Sequence, residues 1–86
     1  MRRVTKVAVK LAGKVYALPV PSSHEEVRIE HGLHGKGRAE RGFLDNGGKF
    51  LSREEAARVA LDAGQVTTGV REVRETGKLH SHNLKG

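Results

Sequence analysis

The chain contains no cysteine and no tryptophan. Without cysteine there are no disulfide staples and no thiolate metal sites, which accords with a reducing compartment. Aromatic residues are nearly missing: Tyr16, Phe43 and Phe50 are the whole set, so platforms for stacking nucleic-acid bases are few. No apolar run approaches the roughly 20 residues of a membrane span. The start, Met1-Arg2-Arg3-Val4-Thr5-Lys6, leads into alternating Lys and Val rather than a continuous signal-peptide core, so a cytoplasmic protein with no membrane partner is expected. Acidic residues are absent from the first 24 positions, which carry Arg2, Arg3, Lys6, Lys10 and Lys14 within a net charge of +6. That end either attracts polyanions or is a solvated edge strand guarded by lysines, and the residues leave both open.

What is present is a short chain of modest apolar content. With 86 residues and 36% hydrophobic composition, it lies near the size at which one core is marginal and a partner helps, so a homo-oligomer is expected. Eight of the apolar residues are alanine, each offering little area to bury. The core is therefore thin and built mainly from valine and leucine.

Local patterns are more informative. Val7, Val9 and Leu11 alternate with Ala8 and Lys10, Ala12-Gly13 interrupts, and Lys14-Val15-Tyr16-Ala17-Leu18 resumes an extended pattern, predicting a hairpin ended by Pro19 and Pro21. Ser23-His24-Glu25-Glu26 has capping-box spacing and predicts a short helix to about His31, stopped by Gly32. From Gly32 to Arg41, glycines and cations predict an exposed loop. Gly42-Phe43-Leu44 and Lys49-Phe50-Leu51 form a second hairpin through Asp45-Asn46-Gly47-Gly48. Ser52-Arg53-Glu54-Glu55 is a second capping box, opening a helix whose stripe of Ala56, Val59, Ala60 and Ala63 suits close packing on the sheet. Gln65 to Arg71 reads as a returning strand and Lys78 to Gly86 as a tail. The expectation is one small α+β domain over residues 1–77, with two β-hairpins, two short helices and a C-terminal strand, associating with its own copies, then a tail over 78–86.

The chemistry-bearing residues are fewer. Five histidines invite a metal hypothesis. His24 and His31 are seven residues apart, on one helical face but two turns distant, with His34 beyond them; His80 and His82 share a strand face without a third ligand. No acidic or cysteine partner completes either set, so no metal or other cofactor is expected. Glu25 and Glu26 beside His24 are accounted for by the helix dipole and the cap. Nucleophile elbow, phosphate-binding loop and metalloprotease signatures are all missing, as are zinc-finger and helix-turn-helix patterns, so a binding protein rather than an enzyme is expected.

The segments Tyr16-Ala17-Leu18-Pro19-Val20-Pro21, His24, Gly42-Phe43-Leu44, Arg53 and Ala63-Gly64-Gln65 together resemble a widespread family of short phage and prophage proteins, over nearly the whole chain. The sequence departs from that pattern at Ser23, where a first histidine is common, and at Leu79-His80-Ser81-His82-Asn83-Leu84, which replaces a more acidic, Trp-ended end. The resemblance implies a counter-defence protein of the host cytoplasm. Two readings follow. In the first, subunits assemble and sequester an anionic, cyclic nucleotide signal without turnover: Arg28, Arg41 and Arg53 pair with phosphates, Tyr16 or Phe43 stacks a base, and His24 and Gln65 read polar edges. In the second, an anti-CRISPR-like inhibitor contacts a nucleoprotein defence complex through Arg2, Arg3, Lys6 and Lys36. The first is favoured because the resemblance is densest at its residues. Against both stands the plainer reading of solvated arginines, core aromatics and a helix-capping Gln65.

Overall fold

The structure, a computed structural model, describes residues 2–33 and 39–84. Strand β1 (Val4–Leu11) turns into β2 (Lys14–Pro19), followed by helix α1 (His24–Glu30), β3 (Glu40–Asp45), β4 (Phe50–Ser52), helix α2 (Arg53–Asp62), helix α3 (Val70–Thr76) and a 3-10 turn (Ser81–Leu84). The strands form one antiparallel sheet in the order β2-β1-β3-β4. The first hairpin closes through Ala12 and Gly13, with φ of 52° and 79°, the paired positive values that match the twist of the flanking strands.

Residues paired across strands share a face. Val7 is opposite both Leu18 and Phe43, and Phe43 is opposite Leu51, so one apolar row crosses all four strands. Val7, Phe43 and Leu51 are fully buried, and Val27 of α1 with Ala56 and Ala60 of α2 joins the same core. The alanines let α2 approach the sheet closely, which offsets their small area. Both capping boxes form: the Ser23 and Ser52 hydroxyls accept from the Glu26 and Glu55 amides, and each glutamate accepts from its serine's amide. Gly42 is buried where a Cβ would collide with the Leu51 carbonyl and the Phe50 ring, so only glycine fits beneath that ring.

Three expectations change. The segment expected as a returning strand is helix α3, entered through Gly69 and left through Gly77, both with left-handed backbone. Spacing overrode β-propensity here: Val70 and Val73 lie on one helical face, Val73 is buried, and Arg71 pairs with Glu75 one turn on at 3.0 Å. The segment expected as a tail is packed through Leu84: Leu79 and Asn83 are fully buried and Leu84 nearly so. Asn83 closes it, its amide donating to the Thr68 carbonyl at 2.8 Å and its side-chain oxygen accepting from the His80 amide at 2.8 Å. Of the expected loop, residues 34–38 lie outside the described residues, while Glu40 and Arg41 belong to β3.

Candidate functional site

His24 is the first residue of α1, set by the Ser23 cap, and it is buried. Its Nε2–H donates to the Gly42 carbonyl at 2.9 Å, and its ring meets Phe43 edge-on at 5.0 Å. Donation to a carbonyl fixes the neutral tautomer, leaving Nδ1 as the acceptor. Arg41 lies two residues before Phe43 and opposite Val9, so it leaves the sheet on the face where the helices pack. Arg53 opens α2 directly after β4.

The C-terminal segment completes the arrangement. The Leu79 amide donates to the Arg53 carbonyl at 3.0 Å, which brings His80, Ser81 and His82 against the starts of both helices. The His80 and His82 rings stack at 5.5 Å and 6° between planes, and His82 Nε2 lies 3.4 Å from a Glu72 carboxylate oxygen on α3. The result is an open cleft of about 260 Å³ lined by the cap Ser23 with His24 and Glu25 of α1, by Arg41 and Arg53, and by His80, Ser81 and His82. An adjoining hollow of about 370 Å³ shares Arg41 and Arg53 but continues over Ala39, Glu40, Ser52 and Glu54.

Arg41 and Arg53 bring two permanent positive charges to the cleft against the one carboxylate of Glu25. Burial, first of all, holds the His24 imidazole below its ordinary pKa; the Gly42 carbonyl works against that, and Arg41, Arg53 and His80 add to the depression. His80 is lowered by burial, then by Arg53 and His82, with Glu72 opposing and Arg41 contributing. Both imidazoles are thus held toward the neutral form beside two permanent cations. Such a site attracts an anion and gives it guanidinium and hydroxyl donors. Among the described residues no three or more His, Cys, Asp or Glu side chains are grouped to hold a metal ion.

The residues expected from sequence are distributed as follows. His24, Arg41 and Arg53 meet in the cleft. Phe43 is fully buried, its exposed face gone, and it supports His24 rather than offering a ring to a base. Gln65 forms a two-way clamp on Val4, its Oε1 accepting from the Val4 amide and its Nε2 donating to the Val4 carbonyl, each at 2.7 Å. Tyr16 is half-buried on β2, its ring 5.2 Å from that of His31, and Arg28 stands in the last turn of α1; neither lines the cleft. His80, Ser81 and His82 were missing from the expected set. The signal for them was the apolar bracket of Leu79 and Leu84, whose burial requires what lies between to pack.

A larger hollow, about 530 Å³, lies between Arg2 and the α2 residues Glu55, Arg58, Val59 and Asp62. It sets two cations against two carboxylates, so it selects neither sign of charge. No helix among the described residues is long and apolar enough to cross a membrane.

Comparison with known proteins gives a match to the family described as phage T4 y16D protein over residues 4–84. No curated protein and no solved structure matches significantly.

Proposed function

Because the chain belongs to the phage T4 y16D family, we propose that it is a phage counter-defence protein that binds an anionic nucleotide signal of the host and holds it without turnover. The observation that supports this reading is the convergence of Arg41 and Arg53 with His24 and His80 on one cleft. These groups come from α1, β3, α2 and the C-terminal segment, so four elements contribute to one cleft, β3 and α2 its two permanent positive charges and the others its imidazoles. A guanidinium supplies paired donors that match phosphate oxygens, and a hydrogen bond to a charged group contributes about 1.5–3 kcal/mol. Assembly into a homo-oligomer in the host cytoplasm belongs to the same reading, since a cleft of about 260 Å³ is smaller than the roughly 300–1,000 Å³ that encloses a drug-sized ligand.

Thermal melting against cyclic di- and trinucleotides, cyclic ADP-ribose isomers, linear nucleotides and short DNA tests the reading. Ligand at a hundredfold excess over Kd adds about 2.7 kcal/mol, a midpoint rise of roughly 10 to 20 °C in so small a domain. The expected result is a shift with at least one nucleotide, abolished by Arg53→Gln, with the ligand recovered intact. A flat screen, or a shift unaffected in Arg53→Gln, rejects it.

The alternative, inhibition of a nucleoprotein defence complex through Arg2, Arg3, Lys6 and Lys36, the last outside the described residues, is supported by Lys6 and its neighbour Lys10, which stand exposed on one face of β1 with the Lys10 ammonium 5.5 Å from the Phe50 ring centroid. Binding to such a complex that is lost in Lys6→Ser/Lys10→Ser and kept in Arg53→Gln favours this second reading.

A further inference from the structure

The two hollows that share Arg41 and Arg53 differ in their balance of charge. One is lined in addition by His24, His80 and His82 and by a single carboxylate, Glu25. The other is lined in addition by two carboxylates, Glu40 and Glu54, and by Ser52 and Ala39. A ligand spanning both therefore needs an anionic end and a neutral, hydroxyl-bearing or N–H-bearing remainder. A phosphodiester chain threaded through would place its next phosphate among carboxylates, where like charges repel.

We infer that the cleft seats the terminal phosphate of a nucleotide, a phosphomonoester end, while its sugar and base lie in the Glu40–Glu54 hollow. This rests on the nucleotide-binding reading and narrows its ligand. Three features carry it. The donors line one open cleft of about 260 Å³, short of the extended groove by which a protein tracks a strand backbone. A monoester carries a charge of about −1.5 to −2 at neutral pH, which suits two guanidiniums converging on a single group better than the single charge of a diester does. Carboxylates accept hydrogen bonds from sugar hydroxyls, as they do in dinucleotide-binding folds, and Glu40 and Glu54 line the hollow that adjoins the cleft.

Calorimetric titration of the intact protein with 5′-phosphorylated diadenylate, unphosphorylated diadenylate and cyclic di-adenylate tests the inference. The phosphorylated compound is expected to bind roughly tenfold or more tightly than either of the others. Arg53→Gln is expected to abolish that preference, and Glu54→Gln to weaken binding of the ribonucleotide several-fold while leaving its 2′-deoxy form little changed. Arg41→Gln, on an exposed strand position, serves as the second variant if Arg53→Gln melts early. Equal affinity for the cyclic and 5′-phosphorylated compounds, or unchanged ribose preference in Glu54→Gln, overturns the inference and leaves nucleotide binding standing. Absence of binding by any phosphorylated compound, here and in the melting screen, rejects both.

Discussion

Gln65 shows how one side chain can serve as tertiary structure. Its primary amide copies the donor–acceptor pair of a peptide unit and lies against Val4 as a neighbouring strand would. Val4 is buried, at 1% exposure, so its amide and carbonyl have no water to fall back on. Gln65→Ala is expected to cost about 2 to 3 kcal/mol, a fall of roughly 10 °C in Tm, measurable by thermal or urea unfolding. Tm within a degree of the parent would refute the clamp. His24 sets a second expectation at this scale. Its folded-state pKa, like that of His80, lies below the ordinary value of 6.5, so between those values the unfolded chain binds more protons than the folded one. Stability is therefore fully present above about pH 6.5 and declines as pH falls below it. Asp45 acts in a lower window: the Lys49 amide foremost, then the Gly47 amide and Arg2, hold its carboxyl below 3.8 against the effect of burial, so that contribution is lost only as pH falls through the lowered value. Unfolding midpoints from pH 8 to 5 are expected to fall, and to fall less in His24→Gln; a flat profile for the parent contradicts the neutral, carbonyl-bonded imidazole.

At the scale of elements, local chemistry decided what the sequence could announce. Both hairpins and both capped helices were legible because each is written in adjacent residues: alternation in Val7-Ala8-Val9, Gly47-Gly48 at a turn, Ser and Glu three apart at each helix start. Helix α3 and the packed end were not, because their signals compete or lie far apart. Val66, Thr67, Thr68 and Val70 favour extended backbone, whereas what holds α3 is Val73 in a core supplied by other elements. The C-terminal segment carries polar residues in sequence yet is held by Asn83, whose partners, Thr67 and Thr68, are some 15 residues away. The same gap hid half of the cleft: Arg41, Arg53 and His24 stood out as charged or imidazole groups, but it is the Leu79–Arg53 backbone bond, with the bonds of Asn83 to Thr67 and Thr68, that brings His80 and His82 to them. Deleting residues 79–86 is expected to uncover the core beneath Leu79 and Leu84 and to lower Tm by more than 10 °C, since losing a buried leucine alone costs about 2–5 kcal/mol. Circular dichroism melting of the truncated chain checks this, and an unchanged, cooperative melt would return the segment to the status of a tail.

For the molecule as a whole, the charge distribution matters more than the net charge of +6. The basic first strand and the cleft are separate features: Lys6 and Lys10 are solvated on β1, whereas the arginines of the cleft act on imidazoles partly withdrawn from water. This distinction yields a test independent of any nucleotide. An anion in the cleft offsets the repulsion that Arg53 and Arg41 exert on His80 and His24, so it raises both pKa values relative to the free protein. By linkage the complex then holds more protons, and anion affinity falls as pH rises through the imidazole range. A phosphate monoester would blur the result because its own second ionisation lies near 6, but sulfate remains a dianion from pH 5 to 8. Sulfate affinity measured by calorimetry is therefore expected to decrease across that range, with proton uptake visible as a binding enthalpy that depends on the buffer. His80→Gln is expected to flatten the profile without removing binding, and Arg53→Gln to remove it. Phosphate-sized anions caught only by the lysines of β1 would show salt-sensitive binding with no pH slope below 8, since ammonium groups keep their charge throughout, and that outcome would move the binding site from the cleft to the strand.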